Sequence, residues 1–192
     1  VSENEVILRG NKVTLRDIKI EDVEKIYYWR YVADDREHLK WNAPYYPIEE
    51  KSIEKFIEEE YRLHLDTAKT DQVRSKLAII VGNKLIGTVG WYWVDQNTNW
   101  LNNGIVIFDS DYWSGGYGTE AFQMWTNYLF ENMDIVRVGI STWSGNERMI
   151  GLAKKVGMVE EGRIRNARIV EGKYFDSVKM GVLREEWIGS NR

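Results

Sequence analysis

The 192-residue sequence has no cysteine, two prolines and two histidines. Without cysteine there can be no disulfide framework, no thiol nucleophile and no thiolate metal site. His38 and His64 are too few for a histidine-built zinc centre without carboxylate help, so no metal is expected. No apolar stretch approaches the roughly 18 residues a membrane-crossing helix requires. No secretory pattern opens the chain, and the expectation is a soluble, cytoplasmic protein with no membrane partner. A positive surplus is missing too: 26 Lys and Arg face 30 Asp and Glu, a net charge of −4. That balance argues against nucleic acid and mildly favours cationic small molecules or basic peptides.

Apolar residues are plentiful. At 43% hydrophobic and 13% aromatic, residues 1–192 can bury a proper core, and one domain is expected. Two short strands are predicted around Gly10-Asn11, then helices over "EDVEKIYYWRYV" from Glu21 and "EEKSIEKFIEEEYRLHL" from Glu49. "KLAIIVGNKLIGTVGWYWV" reads as a hairpin turning at Gly82-Asn83, and "LNNGIVIF" from Leu101 as a further strand. Ala121, Met124, Trp125, Tyr128 and Leu129 then fall on one helical face. "IVRVGIST" from Ile135 alternates like a strand, Ser144 and Glu147 form a capping-box pattern, and Gly157 closes a helix. A hairpin turning at Glu171-Gly172 ends the pattern. The fold class is α/β (α+β), a mixed, mostly antiparallel sheet with flanking helices.

Three glycines in four positions, Gly115, Gly116 and Gly118, precede the Ala121 helix in "DYWSGGYGTEAFQMW". Such a cluster marks close backbone approach. Converging amides at a helix start, with the positive end of its dipole, make an anion cradle suited to pyrophosphate. Gly116, Gly118 and Ala121 also satisfy the dinucleotide fingerprint G-x-G-x-x-A. That reading fails because seven residues separate Phe108 from Gly116, and the next strand closes in Ser141-Thr142 without a carboxylate.

The segment from Tyr112 to Ala121 resembles motif A of the GNAT superfamily of acyl-CoA N-acyltransferases. In the ribosomal-protein (Rim-type) branch this segment commonly reads Y-W-G-K-G-Y-G-T-E-A; here Ser114 and Gly115 replace glycine and lysine. Asn146, Glu147, Arg148, Ile150, Leu152, Gly157, Glu161, Gly162 and Arg165 are similar to that branch's downstream segment, with Met158 for its phenylalanine. The likeness runs from Val6 to Trp187. It implies the GNAT fold with a splayed strand pair, acetyl-CoA as co-substrate, and a primary amine as acceptor, either a peptide N-terminus or a small molecule. By resemblance, main-chain groups of Ile105, Val106 and Ile107 pair with the pantetheine arm. The amides of Ser114, Gly115, Gly116, Tyr117, Gly118 and Thr119 hold the pyrophosphate, and the Asn146 side chain holds the cofactor. A strand amide polarises the thioester carbonyl. A homodimer stays open.

The acid and base depart from the family. Where many members carry a glutamate stand Asn102 and Asn103, and where they carry a tyrosine stands Ala153; Met149 replaces a serine used in some Rim-type enzymes. Asp95, His38 and Asp176 are the remaining candidates for taking the amine's proton through water. Asp34, Asp35 and Glu37 would draw a cationic amine, and the aromatics "YYWRY", Trp41, "APYYP" and "WYW" could box one. The missing acid and base also leave room for a catalytically silent acyl-CoA-binding module.

Overall fold

Two-residue turns set the sheet's hairpins. Strands β3 (Lys76–Val81) and β4 (Lys84–Asp95) join at Gly82, whose φ of 58° favours a residue without Cβ. Strands β7 (Val159–Val170) and β8 (Lys173–Leu183) join through Glu171 and Gly172, both left-handed (φ 50° and 76°), the geometry that matches sheet twist. The structure, a computed structural model, describes residues 5–68, 70 and 72–190, the last three by backbone only.

The other strands are β1 (Ile7–Arg9), β2 (Thr14–Arg16), β5 (Trp100–Ile107) and β6 (Arg137–Trp143). All eight form one sheet in the order β1-β2-β3-β4-β5-β6-β8-β7. Every neighbouring pair is antiparallel except β5 and β6, which run parallel and meet only at Asn102 and Gly139. Beyond that junction the two strands diverge, giving the splayed pair that the resemblance implies.

Helices cover both faces. Helix α4 (Tyr117–Asn132) buries Ala121, Trp125, Tyr128 and Leu129 of its expected stripe, with Met124 half-buried and Phe122 buried beside it. Helix α1 (Ile20–Tyr27) loosens into a π-turn over Tyr28–Val32. The segment read as one helix from Glu49 starts only at Ile53, where Ser52 caps it. It runs as α2 (Ile53–Phe56), a π-turn (Ile57–Tyr61) and α3 (Arg62–Thr67). These pack Val23, Ile26, Phe56 and Tyr61 on Ala78, Ile80 and Phe108, on the sheet face opposite α4. Helix α5 (Glu147–Lys155) follows β6, and α6 (Arg184–Ser190) follows β8.

One local reading is corrected. Ser144 does not cap α5: its hydroxyl accepts from Asp176 N–H at 2.9 Å, and Asn146 is the N-cap, its Oδ1 accepting from Met149 N–H at 3.1 Å. Cross-strand pairing outcompetes the local bond.

Candidate active site

A cleft of about 410 Å³ opens where β5 and β6 part, floored by Ile105, Val106 and Ile107 and walled by α5 and the loop bearing His38 and Trp41. Its volume lies within the ~300–1,000 Å³ of small-ligand pockets. Pleating divides the β5 main chain. Phe108 N–H donates to Ile86 carbonyl at 2.8 Å, so by alternation Val106 also turns its main chain to β4, while Ile105 and Ile107 face the split. Of the three residues expected to pair with an extended ligand, Val106 contributes only its side chain. The Ile107 carbonyl already accepts from Trp113 Nε1 at 3.1 Å.

The glycine cluster builds the cleft's other end. Ser114 (φ 64°) and Gly116 (φ 83°) are left-handed, and Gly116 is the N-cap of α4 without any capping side chain. Only at Glu120 does an amide close onto a carbonyl, that of Gly116 at 3.1 Å. The first-turn amides of Tyr117, Gly118 and Thr119 therefore lack intrahelical acceptors. Gly118 has its own reason: a Cβ there would lie 3.3 Å from Ile107 Cδ1 and 3.4 Å from Leu152 Cδ1. Gly115 lies against the Tyr117 ring, 2.5 Å from where a Cβ would sit. Ser114, Gly116, Gly118 and Thr119 line the cleft.

Three cations gather here, of which only Arg148 belongs to a motif read from the sequence. The Glu120 carboxylate accepts the amides of Asn11, Lys12 and Val13 at 3.0, 2.7 and 2.8 Å, locking the β1–β2 turn onto α4. Gly10 permits the approach, since a Cβ would come within 2.6 Å of that carboxylate. Lys12 is thereby placed beside the cradle, its Nζ donating to Gly115 carbonyl at 2.7 Å. Arg148 sits between two indoles, 4.2 Å from the Trp113 ring and 5.6 Å from Trp41. Lys155 also lines the cleft.

The other expected residues disperse. Asn146 is in the cleft wall, but its Oδ1 caps α5 and its Nδ2 donates to Trp41 carbonyl at 3.1 Å, leaving one amide hydrogen. Asp95 is corrected as a base. It ends β4 opposite Trp100, where its carboxylate accepts from Asn97 N–H, roughly 17 Å along the strand from Ile105. Asp176 accepts from Asn166 N–H at 3.0 Å and Arg163 Nη1 at 3.2 Å, which hold its carboxyl below the ordinary range. Asn102 and Asn103 are buried, donating to Tyr92 Oη at 3.3 Å and Thr126 Oγ1 at 3.0 Å. Ala153 is core. The aromatic box is not empty either: Trp91 binds Arg74 carbonyl, and Tyr31, Trp41 and Tyr45 carry the protein's own Arg30, Arg148 and Arg168. Asp35 accepts from Ser110 Oγ, and Glu37 pairs with Lys40. Among the described residues no cluster suits a metal, and no helix is long and apolar enough to cross a membrane.

His38 does reach the cleft. It is 5% exposed, stacks edge-on to Phe108 at 5.4 Å, and leaves Nδ1 without a partner. Burial pulls its pKa to about 4, against which Asp35 pulls upward, so the ring is neutral at pH 7. An unfolded histidine titrates near 6.5, so the unfolded state binds the extra proton between those values. Stability present above about pH 6.5 is thus lost as pH falls toward 4, by about 3 kcal/mol. Urea denaturation at pH 7 and pH 4.5 should show His38→Gln losing less than wild type; equal losses would remove His38 from the account.

Comparison with known proteins extends the geometry. Residues 12–159 match the family model described as "Acetyltransferase (GNAT) domain". The chain is 23% identical over 178 residues to the SPbeta prophage-derived uncharacterized N-acetyltransferase YokL of Bacillus subtilis, covering 93% of each. Among solved structures it resembles spermidine N-acetyltransferase from Vibrio cholerae in complex with CoA and spermine (TM-score 0.75, 19% identity, 93% of this chain and 99% of that one). It also resembles RimL, a ribosomal L7/L12 alpha-N-protein acetyltransferase (TM-score 0.72, 16% identity, 93% and 94%).

Proposed function

From its membership of the GNAT acetyltransferases, which makes this chain an N-acetyltransferase, we propose that it moves the acetyl group of acetyl-CoA to a primary amine. The acceptor class is a protein N-terminus or a small amine, and the whole of residues 1–192 acts as one domain of the Rim-type branch. The observation that carries the reading is the cradle at the foot of the split: left-handed Ser114 and Gly116 opening a 16-residue helix. Aligned amides and the helix dipole there favour a bound anion. Lys12, Arg148 and Lys155 add positive charge along the same cleft.

These residues fit the cofactor. The amides from Ser114 to Thr119, with Lys12 at the rim, would hold its pyrophosphate. The main chain of Ile105 and the Ile107 N–H would bind the amide-bearing arm as an added strand. The relative crystallised with CoA and spermine supports the same ligand chemistry. Acetyl-CoA supplies an activated thioester when bound. The chain's own residues orient it and exclude water with Trp113 and Trp41. Neither Asn102 nor Asn103 can take a proton, so the amine arrives deprotonated or sheds its proton to water.

Gly116→Val tests the cradle. A β-branched residue at φ 83° is strained, and its side chain would occupy phosphate space, lowering acetyl-CoA affinity tenfold or more, about 1.4 kcal/mol. Calorimetric titration of the folded variant reads this directly. Unchanged affinity would remove the pyrophosphate assignment. Steady-state thiol release with a panel of amines tests the transfer itself.

A further inference from the structure

The acetyl-transfer reading leaves the acceptor open, and any acceptor site rests on that reading. Asn102 and Gly139, where β5 meets β6, share a sheet face, since a Cβ on Gly139 would lie 2.7 Å from Asn102 Oδ1. Alternation puts Ser141 on that face too, about 7 Å farther along β6 as the split opens. Lys179 lies directly across on β8 and donates to Ser141 Oγ at 2.5 Å. Phe175 shares this face, its ring edge-on to Trp143 at 4.8 Å, and Arg168 lies opposite Phe175 in register. The Arg168 guanidinium sits 4.7 Å from the Tyr45 ring, which itself packs on Trp143. Trp143 Nε1 donates to the carbonyl of cleft-lining Trp41 at 3.0 Å. Lys179 and Arg168 thus converge beside the opened strands, under the loop that links α1 to α2.

Among the described residues neither cation has a carboxylate partner. The hydrogen bond of Arg168 goes to Ala167 carbonyl, and its buried Nε makes none. Neighbouring carboxylates are spent elsewhere, Asp176 on Arg163 and Glu161 on Arg137. Burial, and then the Arg168 charge, hold Lys179 below its ordinary value. Two such cations repel a polyamine and favour an anion.

We propose that Lys179 and Arg168 hold a carboxylate of the acceptor, which is therefore an amino acid or an acidic peptide N-terminus. Its amine nitrogen forms the bond to the acetyl carbonyl carbon as the carbon–sulfur bond breaks. The thiolate departs with CoA, and the nitrogen's proton passes to water.

The test compares L-aspartate, the dipeptide Ala-Asp, its diamide and spermidine at saturating acetyl-CoA. Ala-Asp or aspartate should exceed the diamide and spermidine at least tenfold in kcat/KM, and which leads identifies the source. Lys179→Met, with Arg168→Gln as a second variant, should raise KM for the carboxylate acceptor about tenfold, roughly 1.4 kcal/mol. The values for the diamide and for acetyl-CoA should not change. Spermidine or the diamide matching Ala-Asp, or a loss equal for all acceptors, overturns the site. Calorimetric titration of N-acetyl-Ala-Asp into CoA-saturated protein needs no turnover. Binding that Lys179→Met weakens tenfold supports the anion site even if no amine is acetylated, which would defeat only the transfer reading. No binding to the wild type overturns the site.

Discussion

Acetyl transfer to an alkylamine speeds up about a hundredfold between pH 7 and pH 9 and is still rising there, because the free-amine fraction of a group with pKa near 10.4 grows tenfold per unit. With a peptide N-terminus the same enzyme levels off near pH 8, the value of that α-amine. The two inflections differ because the substrate titrates and no enzymic base does. Asn102 and Asn103 are amides held by Tyr92 and Thr126, Asp95 stands at the far end of β4, Asp176 is held as a carboxylate by Asn166 N–H and Arg163, and His38, with a pKa of about 4, has already lost its proton. The measurement is kcat/KM from about pH 6 to 10 for one acceptor of each kind. A dedicated base would impose one inflection on both profiles. If His38→Gln then abolished that shared limb, His38 would be the base.

The largest loss of stability is expected at a residue outside the cleft. Asp17 Oδ1 accepts from Arg74 Nε at 2.7 Å, and its Oδ2 accepts from Val6 N–H at 3.0 Å, with Asp17 5% and Arg74 2% exposed. Arg74 is also a knot for the backbone. Its N–H donates to Tyr128 Oη on α4, and its carbonyl accepts from Trp91 Nε1 on β4. Asp17→Ala removes the buried carboxylate that pairs with Arg74 and accepts the Val6 amide, which costs about 3–5 kcal/mol and lowers the melting temperature by on the order of 10 °C. Combining it with Arg74→Met removes both buried charges together and should cost less than the sum of the two single changes. Urea titrations of the single and double variants decide. A single-variant cost below about 1 kcal/mol would show the pair to be a surface-like contact.

Where short-range chemistry governs, the sequence is legible. The hairpins follow from Gly82 and Glu171-Gly172, α4 from its apolar stripe, and the left-handed turn that opens α4 from clustered glycines. What escapes depends on partners distant in sequence. Lys12 is placed by a carboxylate 108 residues away, and nothing near it says so. Ser144 looks like a cap until Asp176 takes its hydroxyl. Asp95 and Ile105 lie on or beside the same strand pair, yet no pattern says which end opens. The neighbours Ile105, Val106 and Ile107 look alike as residues, and only register decides which main chain faces the split. Lys179 and Arg168 are brought together by β7 bulges that leave no sequence mark.

The grip of Glu120 on the β1–β2 turn has a consequence in time. At about 5–20 residues per second, a ribosome takes roughly 5 to 20 s to travel from residue 12 to residue 120. Over that interval the amides of Asn11, Lys12 and Val13 have only water to bind. The rim of the cradle is made before α4 and waits for it. A new start and stop placed in the Gly82-Asn83 turn would reverse that order, letting α4 emerge first and receive the turn as it arrives.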